Sequence, residues 1–360
     1  MSDCATSPAF VHVADAPSGS VSVKVCTYNV LAQHLASSSF FPYAKPYLRQ
    51  AARRQRVLRA ITEAAADVLF LQEVEQQDVW LVPQLDALGY ATAFKQKTQR
   101  KRDGVMVAWR HAALECLACR SVEFECEPGC DPTPDEAAAF DAPLRTGGVA
   151  LAVALRPRAC PALVLGAGTT HVWWIPTMKR VKNSQIARTA ALMEATAREG
   201  AALAAASAGG GAGAGAAAPV ACALVLGADF NTNPGDEPYE LATHILDFTS
   251  LADVVPAAAR GCGCTNITDS FRGWLDHVMW KPLPPPSEDG SDSDSDAAVA
   301  AAATPRIVLE SVRALPELDD VTRETALPNS VHGSDHVPLV CVLAFQPPPP
   351  PPPSPPAQTP

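Results

Sequence analysis

The chain has 360 residues, 48% hydrophobic content and a formal net charge of −10, which provides a core for one large domain or two modest ones. No apolar run reaches the ~18 residues of a membrane span, and the first 20 residues hold acids but no Arg, so neither a membrane protein nor a secreted one is expected. The acidity is local: residues 120–142 carry seven acids and one Arg, residues 283–305 five acids and no base, and the near-neutral remainder does not argue against an anionic substrate.

Residues 1–20 read as a flexible leader. Val21 to Val30 predicts a strand, with Val21, Val23 and Val25 at alternate positions. Leu48 to Ala65 predicts a helix with Leu48, Ala51, Ala52, Leu58, Ile61 and Ala65 on one face. Val68 to Leu71 is a short buried strand ending at Glu73, and Val79 to Leu88 a helix closed by Gly89. Gly104 to Trp109 and Leu114 to Phe124 predict strands, and Gly148 to Leu155 and Ala162 to Thr170 antiparallel neighbours joined at Arg156-Pro157. Arg180 to Glu199 is a helix with Ile186, Ala190, Met193 and Ala197 on its buried stripe. An Ala/Gly tract at 200–219 reads as a disordered insertion before the strand Ala221–Leu226. Gly273 to Trp280 and Leu339 to Phe345 close the series, with a Pro/Ser/Asp insert between them.

The polyproline tail from Pro347 is expected to form an extended left-handed helix, either as a solvated spacer or for SH3- or WW-type contacts. Strands and helices alternate with many hairpin-like neighbours, which favours an α/β sandwich over a doubly wound parallel sheet. Eleven cysteines, an odd number at irregular spacing, suggest reduced thiols in a cytoplasmic or nuclear protein, with an organelle left open. Cys116-x2-Cys119 and Cys126-x3-Cys130 form an alternative zinc knuckle, but no His completes it.

Tyr28-Asn29, Leu71-Gln72-Glu73, Thr170-His171, Asp229-Phe230-Asn231 and Ser334-Asp335-His336 each place acids, amides or imidazoles after a strand-like run, and Asp276 joins them. Individually they have plain readings: Glu73 as a surface carboxylate, Asn29 as a turn residue, Asp229 and Asn231 as an Asx turn, each His as structural. Together they supply hard oxygens for Mg²⁺, groups that aim a water, and imidazoles for an oxyanion. Gly-rich phosphate loops, His-Glu-x-x-His and Gly-x-Ser-x-Gly are missing.

Residues from about 21 to 346 resemble the endonuclease/exonuclease/phosphatase superfamily, whose fold is two packed β-sheets flanked by helices, a DNase I-like α/β/β/α sandwich. Thr27-Tyr28-Asn29-Val30-Leu31, Leu71-Gln72-Glu73-Val74-Glu75, Asp103-Gly104, Thr170-His171-Val172-Trp173-Trp174, Asp229-Phe230-Asn231, Phe271-Arg272-Gly273-Trp274-Leu275-Asp276, and Leu327-Pro328-Asn329 ahead of Ser334-Asp335-His336 carry the resemblance. Within it the chain looks like the branch of carbon-catabolite-repressor-type deadenylases, nocturnin and 2′,5′-phosphodiesterases. The resemblance implies Glu73 as the ligand of one or two Mg²⁺ ions, with Asn29 and Asp335 nearby and Mn²⁺ as a substitute. It further implies Asp229 and Asn231 on the nucleophilic water, His171 and His336 on the phosphate, and Asp276 orienting His336. Phe271 and Pro176 match positions that contact adenine, although Phe271 also reads as ordinary core.

The expectation is a Mg²⁺-dependent 3′-to-5′ exoribonuclease acting on single-stranded, adenine-rich RNA such as poly(A) 3′ ends. The alternatives are a 2′,5′-phosphodiesterase, an adenine-nucleotide 2′-phosphatase and, more remotely, a silent RNA-binding scaffold. Four positions depart from the branch pattern: Ile175 for an acid, His277 for a Tyr, Gly333 for a Pro, and an extra Ala228. No leucine-rich repeat precedes the domain, so docking to the large deadenylase complex is not expected.

Overall fold

The computed structural model of the protein describes residues 9–124, 145–208, 220–285 and 304–349. Its centre is the parallel pair β2 (Val21–Asn29) and β3 (Val68–Glu75), with Val25 opposite Val68 and Asn29 opposite Gln72. Side chains on these strands alternate between two apolar environments. Val23, Val25, Val68 and Phe70 enter one buried cluster, while Cys26, Tyr28, Leu69 and Leu71 enter another. A strand covered on both faces needs an unbroken apolar run, and Val68-Leu69-Phe70-Leu71 supplies it.

The first sheet has seven strands, in the order β1 (Phe10–His12), β14 (Arg306–Arg313), β15 (Leu339–Gln346), β2, β3, β5 (Asp103–Arg110) and β4 (Tyr90–Gln96). The second has six: β10 (Thr249–Ser250), β13 (Asp276–Leu283), β9 (Ala221–Asp229), β8 (Leu163–Thr170), β7 (Val149–Pro157) and β6 (Leu114–Glu123). A two-stranded pair, β11 (Asn266–Ile267) and β12 (Arg272–Gly273), stands apart. The two large sheets pack through β2, β3 and β5 against β7, β8 and β9.

Helix α1 (Gln50–Ala64) and helix α2 (Leu81–Ala87) cover the outside of the first sheet with Val57, Ile61, Leu81 and Leu85. Helix α3 (Lys179–Ala208) lies on β6 to β9 and buries Ile186, Ala190, Met193 and Ala197. The result is the expected four-layer sandwich. Among the described residues no helix is long and apolar enough to cross a membrane.

Several local expectations change. Part of the expected leader is ordered: Phe10 to His12 pair with Arg313 to Ser311. Helix α3 runs past Glu199 to Ala208 because the first half of the Ala-rich tract has strong helix propensity. Strands β4 and β14 escaped the sequence reading. Both are only partly buried, so neither has the sustained apolar run of the central strands. Most of the acidic segment at 120–142, residues 209–219 and 286–303, Cys126, Cys130 and the tail from Pro350 lie outside the described residues.

The sheets approach closely at Gly227, where an added Cβ would sit 2.2 Å from a ring carbon of Phe70. Backbone and aromatic ring both resist moving there. Gly227→Ala should lower unfolding stability by about 1–3 kcal/mol, the usual cost of overpacking a tight core. A urea titration with an unchanged midpoint would contradict this contact.

Candidate active site

Topology gathers the polar segments at one end of the sandwich. β2 runs parallel to β3 and β8 parallel to β9, so each pair ends on the same side. β15 is antiparallel to β2 and β13 to β9, so these two strands begin where the others finish. Asn29, Glu73, His171 and Asp229 therefore sit at strand ends, and Asp276 and His336 at or just before strand starts. Asp276 pairs with Asp229 across β13 and β9, and an isolated bridge joins His171 to Asp229.

Asn29 is fully buried, and its Nδ2 donates to Glu73 Oε1 at 2.9 Å and to Asp229 Oδ2 at 2.9 Å. Its Oδ1 accepts from the Leu31 amide at 3.0 Å. Both amide hydrogens are thus committed to carboxylates, one from each sheet. Glu73 has φ +57°, beside a register shift between Leu71 and Val74 in the β3–β5 ladder. A bulge of this kind re-aims a side chain, and the left-handed backbone is strain held in place by its surroundings. The second Glu73 oxygen accepts from the Ala32 amide at 2.8 Å.

Asp229 Oδ1 accepts from the Asn231 amide at 2.9 Å, so the Asx-type turn is present. Asn231, with φ +50°, donates its side-chain Nδ2 to Val172 O at 3.0 Å. His336 Nδ1 lies 2.7 Å from Asp276 Oδ2, while its Nε2 lies 3.8 Å from Asp229 Oδ2 and 3.9 Å from Asp335 Oδ2. His171 Nε2 lies 3.5 Å from Asp229 Oδ2, and its Nδ1 is 3.2 Å from Lys97 Nζ.

These surroundings set opposite charge states on the two imidazoles. Burial alone would lower the His336 pKa, but Asp276, Asp335 and Asp229 outweigh it and hold it well above 6.5. Burial, then Lys97 and His336, push His171 well below that value. Burial also raises Glu73, opposed by Lys97 and reinforced by Asp335 and Asp103, and raises Asp229, with Asp276 adding to it.

A cleft of about 900 Å³ opens over this cluster, lined by Glu73, His171, Asp229, Asn231, Asp335 and His336 together with Pro176 and Phe271. Asn29 and Asp276 lie beneath it instead of lining it. Glu73, Asp229 and Asp335 bring negative oxygens to one cavity, and the raised pKa values of the first two mark a charge excess that a hard dication would offset. Asp229, Asp276 and His336 also lie with ligand atoms within 4.8 Å of one another. Within that trio His336 Nδ1 is hydrogen-bonded to Asp276 Oδ2, which leaves His336 Nε2 and Asp276 Oδ1 outside the bond.

Four supporting residues have no individual role in the sequence analysis. Lys97 forms a 2.6 Å ion pair with Asp103, and a basic run from Lys95 to Arg102 was the available signal. Lys182 donates to Asn231 O at 2.6 Å, and burial lowers its pKa to about 8. Gln72 reaches across the sheets to Thr169 Oγ1 at 3.0 Å, and Asn266 holds Asp335 Oδ2 at 3.0 Å. No motif marks Lys182 or Asn266, whereas Gln72 lies inside the Leu71-Gln72-Glu73 segment. Two of the departures have local reasons. His277 Nε2 meets Thr232 O at 2.9 Å between the rings of Phe230 and Tyr239, and burial lowers its pKa to about 4. At Gly333 a Cβ would meet Arg53 O at 2.8 Å.

His336 has a folded pKa above its unfolded value of about 6.5. Its contribution to stability is therefore full below that pH and lost as pH rises through the folded pKa. In metal-free protein, NMR should show His336 titrating above 6.5 and His171 below it, and Asp276→Asn should move the His336 titration downward. Identical His336 titration in both proteins would refute the role given to Asp276.

Residues 26–336 match the model of the Endonuclease/Exonuclease/phosphatase family. Carbon catabolite repressor protein 4 homolog 4 of Arabidopsis thaliana is 24% identical over 88% of this chain and 76% of its own length. Protein angel homolog 2 of Homo sapiens is 28% identical over 60% of this chain, which spans only 36% of that protein. Among solved structures, ANGEL2, described as a 2′,3′-cyclic phosphatase, superposes with a TM-score of 0.66 at 19% identity, covering 94% of this chain and 99% of that one.

Proposed function

The chain belongs to the endonuclease/exonuclease/phosphatase family, and from that premise we propose a divalent-cation-dependent phosphoesterase that shortens adenine-rich RNA from its 3′ end. The observation that carries this reading is the shared cleft, where Glu73, Asp229, His171 and His336 face the same cavity as Phe271 and Pro176. Phe271 is 44% exposed, which suits a base-stacking face better than core packing. The eight described cysteines are free thiols, in keeping with a cytoplasmic or nuclear setting.

Glu73, with Asp335 and Asp229 facing the same cleft, would hold the cation, and a bound Mg²⁺ supplies Lewis-acid stabilisation of a phosphoryl oxygen. Asp229 accepts a proton from the attacking water. Its raised pKa suits that task near neutral pH. Asn231 leaves its Oδ1 for that water because its Nδ2 is spent on Val172. His336, kept protonated by Asp276, donates from Nε2 to a phosphoryl oxygen. His171 is neutral, and Lys97 beside it adds positive charge to the same region.

Glu73→Gln should abolish turnover while circular dichroism stays native. Full activity in the pure variant would remove Glu73 from its role. Phe271→Ala should raise KM for oligo(A) roughly 5- to 100-fold, the equivalent of about 1–3 kcal/mol for one stacked base. A panel of 3′,5′-oligo(A), 2′,5′-oligo(A), NADPH and RNA ending in a 2′,3′-cyclic phosphate tests the substrate. The cyclic end is included because ANGEL2, so described, shares the fold. Preference for any substrate but the first would overturn the exoribonuclease reading while leaving the phosphoesterase intact.

A further inference from the structure

A second, smaller cleft of about 70 Å³ lies on the helix side of the first sheet. Tyr28, Arg56, Arg59, Glu63, Arg313 and His332 are among its walls. Three guanidiniums and an imidazole therefore share this space with one carboxylate. Arg56 and Arg59 have a structural task, since Arg56 Nε donates to Ser330 O at 2.9 Å and an Arg59 terminal nitrogen to Val331 O at 2.7 Å. Glu63 is 3.8 Å from Arg59 and does not reach closer to any base among the described residues.

Arg313 has no such explanation. It is half-buried at the end of β14, and the one hydrogen bond of its side chain among the described residues is a long one, 3.4 Å to Pro338 O. No ion pair within 4.0 Å involves it among those residues. A largely desolvated guanidinium without a carboxylate is costly, and removing such a charge from water is favourable only when an anion compensates it. Its remaining N–H groups form the planar fork that matches tetrahedral oxyanions. The Tyr28 hydroxyl makes no hydrogen bond among the described residues and adds a donor to the same wall. Burial, followed by the charges of Arg59 and Arg313, lowers the His332 pKa to about 4 against the opposing pull of Asp320, and Glu63 is the one acid in the cleft that acts on Arg313. The volume is far below the ~300 Å³ at which pockets begin to hold drug-sized ligands, so a nucleoside does not fit.

We infer that this cleft is a second anion site, separate from the catalytic one, that binds a phosphate-class group through the fork of Arg313 with Arg59 and the Tyr28 hydroxyl around it. Free phosphate and the terminal phosphate of a nucleotide share that chemistry, the latter with its nucleoside left outside. The cleft also shares Gly333 with the loop that continues into Ser334, Asp335 and His336. The inference does not depend on which phosphoester the enzyme cleaves.

The test uses the full chain and inorganic phosphate, with sodium chloride at matched ionic strength as the control. Phosphate should raise the melting temperature of the wild type more than that of Arg313→Gln, and Glu63→Gln, which removes the one acid, should raise it further. Equal phosphate-dependent shifts in all three proteins overturn the site. Tungstate soaked into crystals should give an anomalous peak beside Arg313. That readout remains informative even where a variant folds poorly, and peaks confined to the catalytic cleft overturn the site as well. Adenosine 5′-monophosphate in place of phosphate separates the sources: an Arg313-dependent shift supports a nucleotide's terminal phosphate, and no shift alongside a positive phosphate result supports the free anion.

Discussion

One buried amide ties the two sheets together at the end where their polar groups gather. Asn29 places its two hydrogens between a carboxylate of the first sheet, Glu73, and one of the second, Asp229. Two carboxylates brought this close in a desolvated region repel each other, and a neutral donor with two hydrogens offsets that repulsion without cancelling either charge. A charged residue at position 29 would quench one acid and alter the other. A shorter side chain would leave both acids without their shared donor. Gln72, one step along the neighbouring strand, reaches in the same way from the first sheet to Thr169 of the second. The sandwich therefore closes through apolar packing in its middle and through amides at its functional end.

The second constraint is the division of charge between two histidines that face the same aspartate. His336 and His171 lie 3.8 and 3.5 Å from Asp229 Oδ2, and burial lowers the pKa of both, yet their charged neighbours drive the net shifts in opposite directions. Asp276 beneath His336 and Lys97 beside His171 make the difference. Three acids around one ring, with Asp276 the strongest, and burial with Lys97 at the other leave one imidazole favouring its cationic form and the other its neutral form. This is environment-set chemistry, where the same side chain takes different roles according to its neighbours.

Much of this was legible in the amino-acid order. The central strands announce themselves because burial on both faces demands uninterrupted apolar runs, and the polar groups stand out because each follows such a run directly. Strands away from the centre of the sheet were harder to see. β14 buries only Leu309 and Val312 and begins and ends with arginine, so its pattern resembles a solvated segment until pairing with β15 is known. The support residues were not legible at all. Lys182 and Asn266 act through contacts to Asn231 and Asp335 that the fold alone creates, across 49 and 69 positions. Asn29 was marked as a group near the ion or phosphate, but only coordinates reveal that its hydrogens are already used.

The weakest part of such a site ought to be its loop-borne members, Asp335 and His336, because loops lose more order than strands. The structure answers this with backbone carbonyls. Arg53, Arg56 and Arg59 of α1 reach Gly333, Ser330 and Val331, and Thr265 and Asn266 take hold from the other side through Val337 and Asp335. Gly333 fits because any Cβ there would press on the helix backbone, so the residue that departs from the family pattern is the one that lets the arginines close on the loop. A helix on the outer face of the sheet thereby fixes the geometry of two acid–base groups on the opposite side of the strand ends. Its arginines serve position first, and only the charge left over at Arg313 asks for a partner that the fold itself does not provide.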